Sequence, residues 1–325
     1  MKVLVTGATG LVGTALVKSL ARDGHTVCRL LRRESETSKK AVKGAKAEKP
    51  AGPGQVLDVA WDPEASATSA IGDPQGHVNG ADAVVNLAGA SIADGKWTVQ
   101  RKMQLRSSRV KTTQSLLTAL QKIRVTPTVF LSASAIGFYG DRGDEILTEE
   151  SGPGRDFLAT LAGDWEAEAA KASVLGMRVV CARFGIILAK NGGALPQMMK
   201  PFQFMVGGKL GSGRQWVSWV TLEDVIGILR FALENTVVSG VVNVVSPQPV
   251  RNEKFVKELG RAMHRPAIFP APAFALRMAL GQEAADSMLL ASERVMPKRL
   301  QGFGYEFQHA DLRLALEDVL HGNGR

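Results

Sequence analysis

Short apolar runs and longer amphipathic stretches alternate along the first half of the chain. Lys2 to Thr6 is a short apolar run, Leu11 to Asp23 has helical periodicity, and His25 to Leu31 is again a short run. This alternation is typical of βαβ units and parallel sheets. Further strands are predicted at Gln55 to Ala60, Ala83 to Ala88, Val129 to Ala133, Met177 to Arg183 and Gly240 to Val245, and helices at Val99 to Ile123, Phe157 to Leu175 and Leu222 to Glu234. The pattern predicts an α/β fold with a doubly wound parallel sheet covered on both faces.

The pattern changes after Gly185. Glycine-rich and aromatic loops occupy Gly192 to Trp219, and helical patterns follow at Asn252 to Met263, Pro272 to Leu280 and Asp311 to Leu320. We therefore expect a smaller, mostly helical C-terminal lobe over the carboxyl edge of the strands, where open α/β sheets bind ligands. The predicted division assigns 1–185 and about 222–246 to the sheet domain, and about 186–221 and 247–325 to the lobe.

Composition supports an enzyme-sized globular protein with no membrane partner. The chain has 325 residues, of which 45% are hydrophobic and 22% charged. These values are ordinary for globular proteins. The longest apolar runs, such as Val241 to Val245, are far shorter than the roughly 20 residues of a membrane helix.

A formal net charge of +9 raises the hypothesis of nucleic-acid binding. Much of the excess lies in two segments, Arg29 to Lys49 and Lys96 to Lys111. Neither contains a series of interleaved aromatic residues or a nucleic-acid motif, and a cofactor phosphate or plain solvation explains them as well. We expect no nucleic-acid partner.

The cysteines and histidines indicate a cytoplasmic protein without a metal site. Cys28 and Cys181 each lie in an apolar, strand-like run, which predicts buried thiols in a reducing compartment. The five histidines lie far apart, and no Cys-x2–4-Cys or His-x3–5-His pair of the kind that binds zinc occurs.

The segment from Thr6 to Gly13 carries the clearest chemistry, because it follows a predicted strand and opens a helix. Gly7 permits the sharp turn, Gly10 lets a pyrophosphate approach the backbone, and Gly13 allows close packing of helix against strand. The helix N-terminus adds free N–H groups and a positive dipole end. The sequence predicts a Rossmann-like domain that binds a dinucleotide through Gly7, Thr9, Gly10, Leu11, Val12 and Gly13.

The end of the second strand indicates which dinucleotide is bound. An NAD-binding protein places an acidic residue there for the ribose hydroxyl, whereas this chain has Arg32 and Arg33. Two guanidinium groups suit a 2′-phosphate, which favours NADP over NAD; the alternative is a solvated charge run. Other predicted cofactor contacts are Leu87, Ala88 and Gly89 near the nicotinamide ribose and, more weakly, Asp62 near the adenine.

The spacing Gly-x-x-Gly-x-x-Gly resembles that of extended short-chain dehydrogenase/reductases. Several longer stretches match one subgroup of them: Asn86 to Ala90, Gly95 to Trp97 with Ser108-Arg109, Ser134 to Gly140, Trp165-Glu166, Gly207 to Trp216, Arg265-Pro266 and Met296 to Leu300. The chain is similar to the nucleotide-sugar epimerase-like family of atypical extended members, which carry a short C-terminal domain of unassigned function. The resemblance implies an NADP-binding Rossmann core and a small-molecule substrate. It also allows a homodimer through the helices at Val99 to Ile123 and Phe157 to Leu175.

The chain departs from that superfamily at its acid–base pair. Extended members use Tyr-x-x-x-Lys, in which the cation lowers the pKa of the tyrosine so that it can transfer a proton. The residues four positions after the two tyrosines, Tyr139 and Tyr305, are glycine and histidine. By register, the pair falls near Leu161 and Trp165, whose side chains exchange no proton. Phe138 and Thr221 also replace a tyrosine and a histidine common in the subgroup.

Ser134 and Tyr139 are the remaining catalytic candidates. The resemblance implies that Ser134 hydrogen-bonds a substrate oxygen, while Tyr139 is more often a packing residue in extended members. Predicted substrate contacts are Arg109, Arg214, Gln215, Trp216 and Trp219, because arginines suit an anionic substrate and tryptophans line pockets. The alternatives are surface solvation for the cations and a purely structural contact between lobes for the tryptophans.

The sequence is compatible with two functions. The first is an NADP(H)-dependent oxidoreductase or epimerase-like enzyme that acts on a small hydroxyl- or carbonyl-bearing, sugar-nucleotide-like substrate, with Ser134 polarising it and a non-standard acid completing the site. The second is an NADP(H)-binding sensor or scaffold that has lost turnover together with the Tyr-x-x-x-Lys pair. The elaborate loops favour the enzyme.

Overall fold

The computed structural model describes residues 1–32, 54–65, 71–73, 75–122 and 127–322. The helices are α1 (Leu11–Arg22), α2 (Val99–Arg106), α3 (Thr112–Leu120), α4 (Phe157–Ala170), α5 (Leu195–Gln203), α6 (Leu222–Glu234), α7 (Asn252–Ala262), α8 (Ala273–Leu280), α9 (Gln282–Ala285), α10 (Lys298–Gly302) and α11 (Leu312–His321). The strands are β1 (Lys2–Thr6), β2 (Thr26–Arg32), β3 (Gln55–Trp61), β4 (Ile71–Gly72), β5 (Ala83–Asn86), β6 (Val129–Ala135), β7 (Ile146–Leu147), β8 (Arg178–Phe184), β9 (Ile186–Leu188), β10 (Trp216–Val217), β11 (Trp219–Thr221), β12 (Gly240–Val244), β13 (Val250–Arg251) and β14 (Arg294–Val295).

The main sheet has eight strands in the order β12-β8-β6-β5-β1-β2-β3-β4. Val3 of β1 lies opposite Val27 of β2 on one side and Ala83 of β5 on the other, and both pairings are parallel. The chain winds outward from β1 in both directions, so the sheet is doubly wound and Rossmann-like, as the sequence predicts. The two-residue β4 pairs antiparallel with β3 and was not predicted, because two residues show no periodicity.

Burial explains why β1 is almost entirely apolar. Val3, Leu4 and Val5 are fully buried, which is expected of a central parallel strand covered on both faces. Helix α1 packs on β1, β2 and β3 through a stripe that includes Leu16 and Leu20. The apolar stripe of α1, which repeats every 3.6 residues, and the continuous apolar run of β1 therefore pack in the same core.

The chain forms two compact units. The first contains Met1–Ala90, Leu105–Ala133 and Trp165–Val180, and the second contains Ser91–Gln104, Ser134–Asp164 and Cys181–Arg325. The sequence-based domain boundaries stay a prediction, because a compact unit is not the same division of the chain as a domain.

The second unit contains pairs of short strands and most of the C-terminal helices. β9 pairs with β11, β10 with β13, and β7 with β14. Helices α7 and α11 pack together over a core that includes Trp219, Phe255, Phe202, Leu259 and Leu316. The C-terminal region is thus largely helical, as expected, while strands of two or three residues lie below what a sequence pattern reveals.

The helix predicted from Val99 to Ile123 is interrupted. A π-helical turn at Ser107–Lys111 separates α2 from α3, and α3 ends at Leu120. An extra residue in a helical turn shifts the apolar stripe by one position, which is hard to recognise between two short helices, and such turns are frequent at functional sites. The turn carries Arg109, one of the predicted substrate contacts.

Both cysteines are buried and form no disulfide bond, which confirms the predicted burial. Cys28 lies in β2, where burial raises the pKa of its thiol, and Cys181 lies in β8. Among the helices of the described residues, none combines the length and apolar character needed to cross a bilayer.

Candidate functional site

The turn between β1 and α1 requires glycine at two positions. Gly7 has φ +65°, and a Cβ built on it would lie 2.5 Å from the carbonyl oxygen of Leu87. A Cβ on Gly13 would lie 2.2 Å from the carbonyl oxygen of Gly7. Any other side chain at either position collides with backbone, so the tight turn and the close helix–strand contact both depend on these glycines.

The N-terminus of α1 suits an anion. Gly10 caps the helix in an extended conformation without a side-chain hydrogen bond, and the first turn carries no acidic residue. Thr9 and Gly10 are exposed, while Leu11 and Val12 are partly buried. Backbone N–H groups and the positive end of the helix dipole at such a terminus attract phosphate.

The segment after β5 lies against this turn. The backbone N–H of Leu87 donates to the carbonyl of Thr6 at 3.3 Å, and Leu87 borders Gly7 as described above. β1 and β5 are the neighbours at which the winding of the sheet reverses, and ligands of doubly wound folds bind at this switch point. The structure therefore brings together two predicted cofactor segments, the glycine turn and Leu87 to Gly89.

The other predicted cofactor residues are only partly described. Arg32 is exposed at the end of β2 and lies opposite Trp61 of β3, which directly precedes Asp62. The Asp62 carboxylate accepts a hydrogen bond from the Glu64 backbone N–H at 3.0 Å. Arg33 lies outside the described residues.

Arg109 is held by backbone carbonyls. Its guanidinium donates to the carbonyls of Ala90 at 3.0 Å and Leu105 at 3.2 Å, and it lies 5.2 Å from the ring centre of Trp165. A Cβ on Gly89 would lie 3.2 Å from the guanidinium carbon. The side chain thus anchors the segment after β5, a function that its place in the sequence does not reveal.

Trp165, the residue at the register position of the missing lysine, belongs to a buried polar network. Its indole N–H donates to Thr113 Oγ1 at 3.1 Å, and the amide of Asn86 donates to the same oxygen at 2.9 Å. The Thr6 hydroxyl in turn donates to the side-chain oxygen Oδ1 of Asn86 at 2.8 Å. The position holds a structural donor, which has no proton to exchange with a substrate near neutral pH.

Tyr139 is fully buried and hydrogen-bonded on both sides. Its hydroxyl donates to Asn243 Oδ1 at 2.8 Å and accepts from Arg183 at 2.9 Å. Burial raises the pKa of the phenol, and the nearby Arg183 opposes this only in part. These contacts favour the interpretation of Tyr139 as a packing residue.

The other catalytic positions are also buried. Ser134 lies near the end of β6 and Leu161 lies within α4. The apolar side chain of Leu161 stands at the register position of the missing tyrosine and supplies no acid.

Gln215 and Trp219 make structural contacts. The Gln215 amide donates to the carbonyls of Leu210 and Leu289, both at 3.1 Å. Trp219 is fully buried, and its indole donates to the Gln248 carbonyl at 3.1 Å. These contacts fit the structural alternative for Trp219.

Trp216 has a different environment, partly exposed and rich in cations. The guanidinium carbons of Arg251 and Arg294 lie 4.2 and 4.4 Å from its ring centre, and its indole donates to Asp144 at 3.0 Å. Arg214 is exposed close by in sequence. Stacked guanidinium groups next to an aromatic ring can bind an anionic, planar ligand.

Sequence reasoning missed Glu293. Its pKa is raised to about 8, mainly because the carboxyl is buried and also because Asp156 and Asp141 lie nearby. Both aspartates line a cavity of about 640 Å³. Glu293 therefore keeps its proton near neutral pH, and no local sequence signal marks it because its neighbours come from segments more than 130 positions earlier.

Comparison with known proteins places this geometry in a family. The model of the NAD dependent epimerase/dehydratase family matches residues 3–245. The chain belongs to the NAD dependent epimerase/dehydratase family. A second model, described as a domain of unknown function (DUF1731), matches residues 271–319.

Relatives in this epimerase/dehydratase family match nearly the whole chain. Epimerase family protein YfhF of Bacillus subtilis is 36% identical over 98% of both chains. A chloroplastic SDR39U1 homolog of Arabidopsis thaliana is 35% identical over 98% of this chain and 87% of its own.

A solved structure, human epimerase family protein SDR39U1 with NADPH, matches with a TM-score of 0.83 and 30% identity over 98% of this chain and 99% of its own. The resemblance recognised from the sequence is thus confirmed.

Proposed function

We propose that this chain is an NADP(H)-dependent oxidoreductase or epimerase-like enzyme that acts on a small hydroxyl- or carbonyl-bearing, sugar-nucleotide-like substrate. The observation that carries the proposal is the glycine turn: Gly7 and Gly13 leave no room for a Cβ, and the uncapped end of α1 follows them. That cradle fits a dinucleotide pyrophosphate. When bound, the nicotinamide cofactor supplies hydride transfer.

The preference for NADP(H) rests on Arg32, which is exposed at the end of β2. A guanidinium there meets a 2′-phosphate that NADH lacks, and a charge-assisted hydrogen bond contributes about 1.5–3 kcal/mol. The human relative with NADPH supports this choice. In a tryptophan fluorescence titration we expect NADPH to bind at least tenfold more tightly than NADH.

The Arg32→Ala variant should lose most of that preference, while Arg22→Ala, at the last turn of α1, should keep it. Equal affinities of the wild type for NADPH and NADH would overturn the assignment.

Within the enzyme hypothesis, Ser134 orients and polarises a substrate oxygen, and a carboxylic acid takes the place of the missing tyrosine. Glu293 is a candidate for that acid, because its carboxyl keeps a proton at neutral pH beside a cavity lined by Asp141 and Asp156. The fully buried Tyr139 is the weaker candidate. Arg214 and Trp216 are the proposed contacts for an anionic part of the substrate.

A second function is favoured by the residues at the dyad positions. Leu161 and Trp165 are buried and exchange no proton, which fits an NADP(H)-binding sensor or scaffold without turnover. NADPH absorbance, followed with a panel of carbonyl compounds and sugar nucleotides, separates the two. Steady oxidation supports the enzyme, whereas tight binding without oxidation supports the sensor.

If turnover is found, substitutions identify the residues that support it. Ser134→Ala should lower the rate roughly 100- to 1000-fold, since one positioned hydrogen bond to a developing oxyanion contributes about 2.7–4 kcal/mol. Tyr139→Phe should have a smaller effect. Abolished activity in Tyr139→Phe together with a nearly normal Ser134→Ala would reverse the assignment.

The cellular setting of the protein is part of the proposal. Buried cysteines that form no disulfide bond support a reducing compartment such as the cytoplasm. A homodimer through α2–α3 and α4 stays a prediction, which sedimentation equilibrium tests.

A further inference from the structure

Three side chains with metal-binding groups meet in the second unit, although Glu223 lies in a distant part of the sequence from the other two. Glu223 lies in the first turn of α6, His309 precedes α11, and Asp318 lies within α11. One ligand atom from each lies within 4.8 Å of the other two. The sequence-based expectation of no metal site considered only short spacings and missed this combination.

The surroundings of His309 fix the direction of its ring. Nδ1 lies 3.3 Å from Thr221 Oγ1 and 3.7 Å from a carboxylate oxygen of Asp224. Asp224 is fully buried and accepts hydrogen bonds from the backbone N–H groups of Gln308 and His309. Metal-binding histidines typically donate their second N–H to such an inner carboxylate, which orients the ring.

The opposite edge of the His309 ring lies next to a carboxylate. Nε2 lies 3.2 Å from Asp318 Oδ2. A neutral imidazole has one N–H, and if Nδ1 donates it inward, the Nε2 lone pair faces a carboxylate. A cation between these two atoms removes that repulsion.

The distance between the ligand atoms of His309 and Asp318 suits a small divalent ion. Zinc binds histidine nitrogen and carboxylate oxygen at about 2.0–2.2 Å, so two ligands around one tetrahedral ion lie about 3.3 Å apart. The 3.2 Å between His309 Nε2 and Asp318 Oδ2 matches this spacing. A nitrogen ligand with two carboxylates favours a transition metal over Mg²⁺ or Ca²⁺, which prefer oxygen ligands alone.

We propose that Glu223, His309 and Asp318 bind a divalent transition-metal ion, with zinc the best fit, and that Thr221 and Asp224 orient the histidine from behind. Asp318 is more than half exposed, so a water molecule can complete the coordination. The ion would join the start of α6 to the segment before α11 and to α11 itself. It would therefore stabilise the C-terminal part of the fold.

The test titrates the full-length protein, freed of metal by chelation and dialysis, with ZnCl2 in a calorimeter. We expect one ion per chain and a higher thermal midpoint in the presence of zinc. Cobalt(II) should give the visible absorption of a tetrahedral site with nitrogen and oxygen ligands. No step of this experiment uses NADP(H), so its outcome is independent of the proposed catalytic function.

Variants identify the ligands. Asp318→Asn should weaken zinc binding at least tenfold, and His309→Ala should abolish it. The controls are Glu317→Gln, on the neighbouring position of α11, and His264→Ala, which lies outside the cluster. Both should bind zinc like the wild type.

Because His309→Ala also removes internal contacts, the exposed Asp318→Asn variant keeps the test independent of folding. No saturable zinc binding in the wild type overturns the proposal. The proposal is also overturned if Asp318→Asn and His309→Ala both bind zinc as the wild type does.

Discussion

Replacing Glu293 by glutamine should make the stability of the protein less sensitive to pH. The pKa of the Glu293 carboxyl is raised from 4.5 to about 8, first by burial and then by Asp156 and Asp141. Between these two pH values the unfolded chain has lost the proton while the folded protein still holds it. Folding therefore takes up a proton, and the stability contributed at this site falls as the pH rises.

The size of the effect follows from the same two pKa values. One pH unit corresponds to about 1.4 kcal/mol, so the interval from 4.5 to about 8 amounts to about 5 kcal/mol at most. Water that reaches the carboxyl reduces this value. Glutamine keeps the shape of the side chain and does not titrate, so Glu293→Gln removes the whole pH-dependent term.

The assay is urea denaturation of wild type and variant at pH 5, 6, 7 and 8. The free energy of unfolding of Glu293→Gln, minus that of the wild type, should rise by a few kcal/mol from pH 5 to pH 8. Differences in hydrogen bonding that do not depend on pH cancel in this comparison. Glu306→Gln, which removes an exposed carboxyl, is the matched control. Parallel pH profiles for wild type and Glu293→Gln would refute the reasoning.

Three further predictions concern the first unit and the buried thiols. Gly13→Ala places a methyl group against the Gly7 carbonyl, so it should cost about 1–3 kcal/mol in urea denaturation and weaken NADPH binding at least tenfold; unchanged binding would contradict the cradle. Thr113→Val leaves the buried Trp165 N–H without an acceptor and should cost about 1–3 kcal/mol by the same assay, whereas Thr118→Val on the exposed face of α3 should cost little. Cys28 and Cys181 should react slowly with a thiol reagent in the folded protein and fast in denaturant, and fast native labelling of either would contradict its burial.

The sequence alone determined the parts of the fold that rest on local patterns. The strands of the parallel sheet and the helix α1 were predictable because burial imposes a continuous apolar run on β1 and a 3.6-residue period on α1. The glycine turn was predictable for a similar reason, since the path of the backbone between Gly7 and Gly13 admits no larger residue. The residues four positions after the two tyrosines were also enough to show that the Tyr-x-x-x-Lys pair is missing.

Only the tertiary structure decided what individual polar side chains do. The substrate contacts predicted for Arg109 and Gln215 stay predictions, and only the structure shows that each side chain also donates to two backbone carbonyls. The raised pKa of Glu293 depends on aspartates more than 130 positions away. Hydrogen bonds and pKa shifts act over a few ångströms in space, whichever residues the fold brings there.

The Glu223, His309 and Asp318 cluster illustrates the same limit. Its members are separated by up to 95 positions and have no motif spacing. Hydrophobic periodicity records which face of a helix is buried, but it does not record which other helix lies opposite. Local sequence therefore specified the elements and the cofactor turn, whereas the packing of distant segments determined which charged groups face each other.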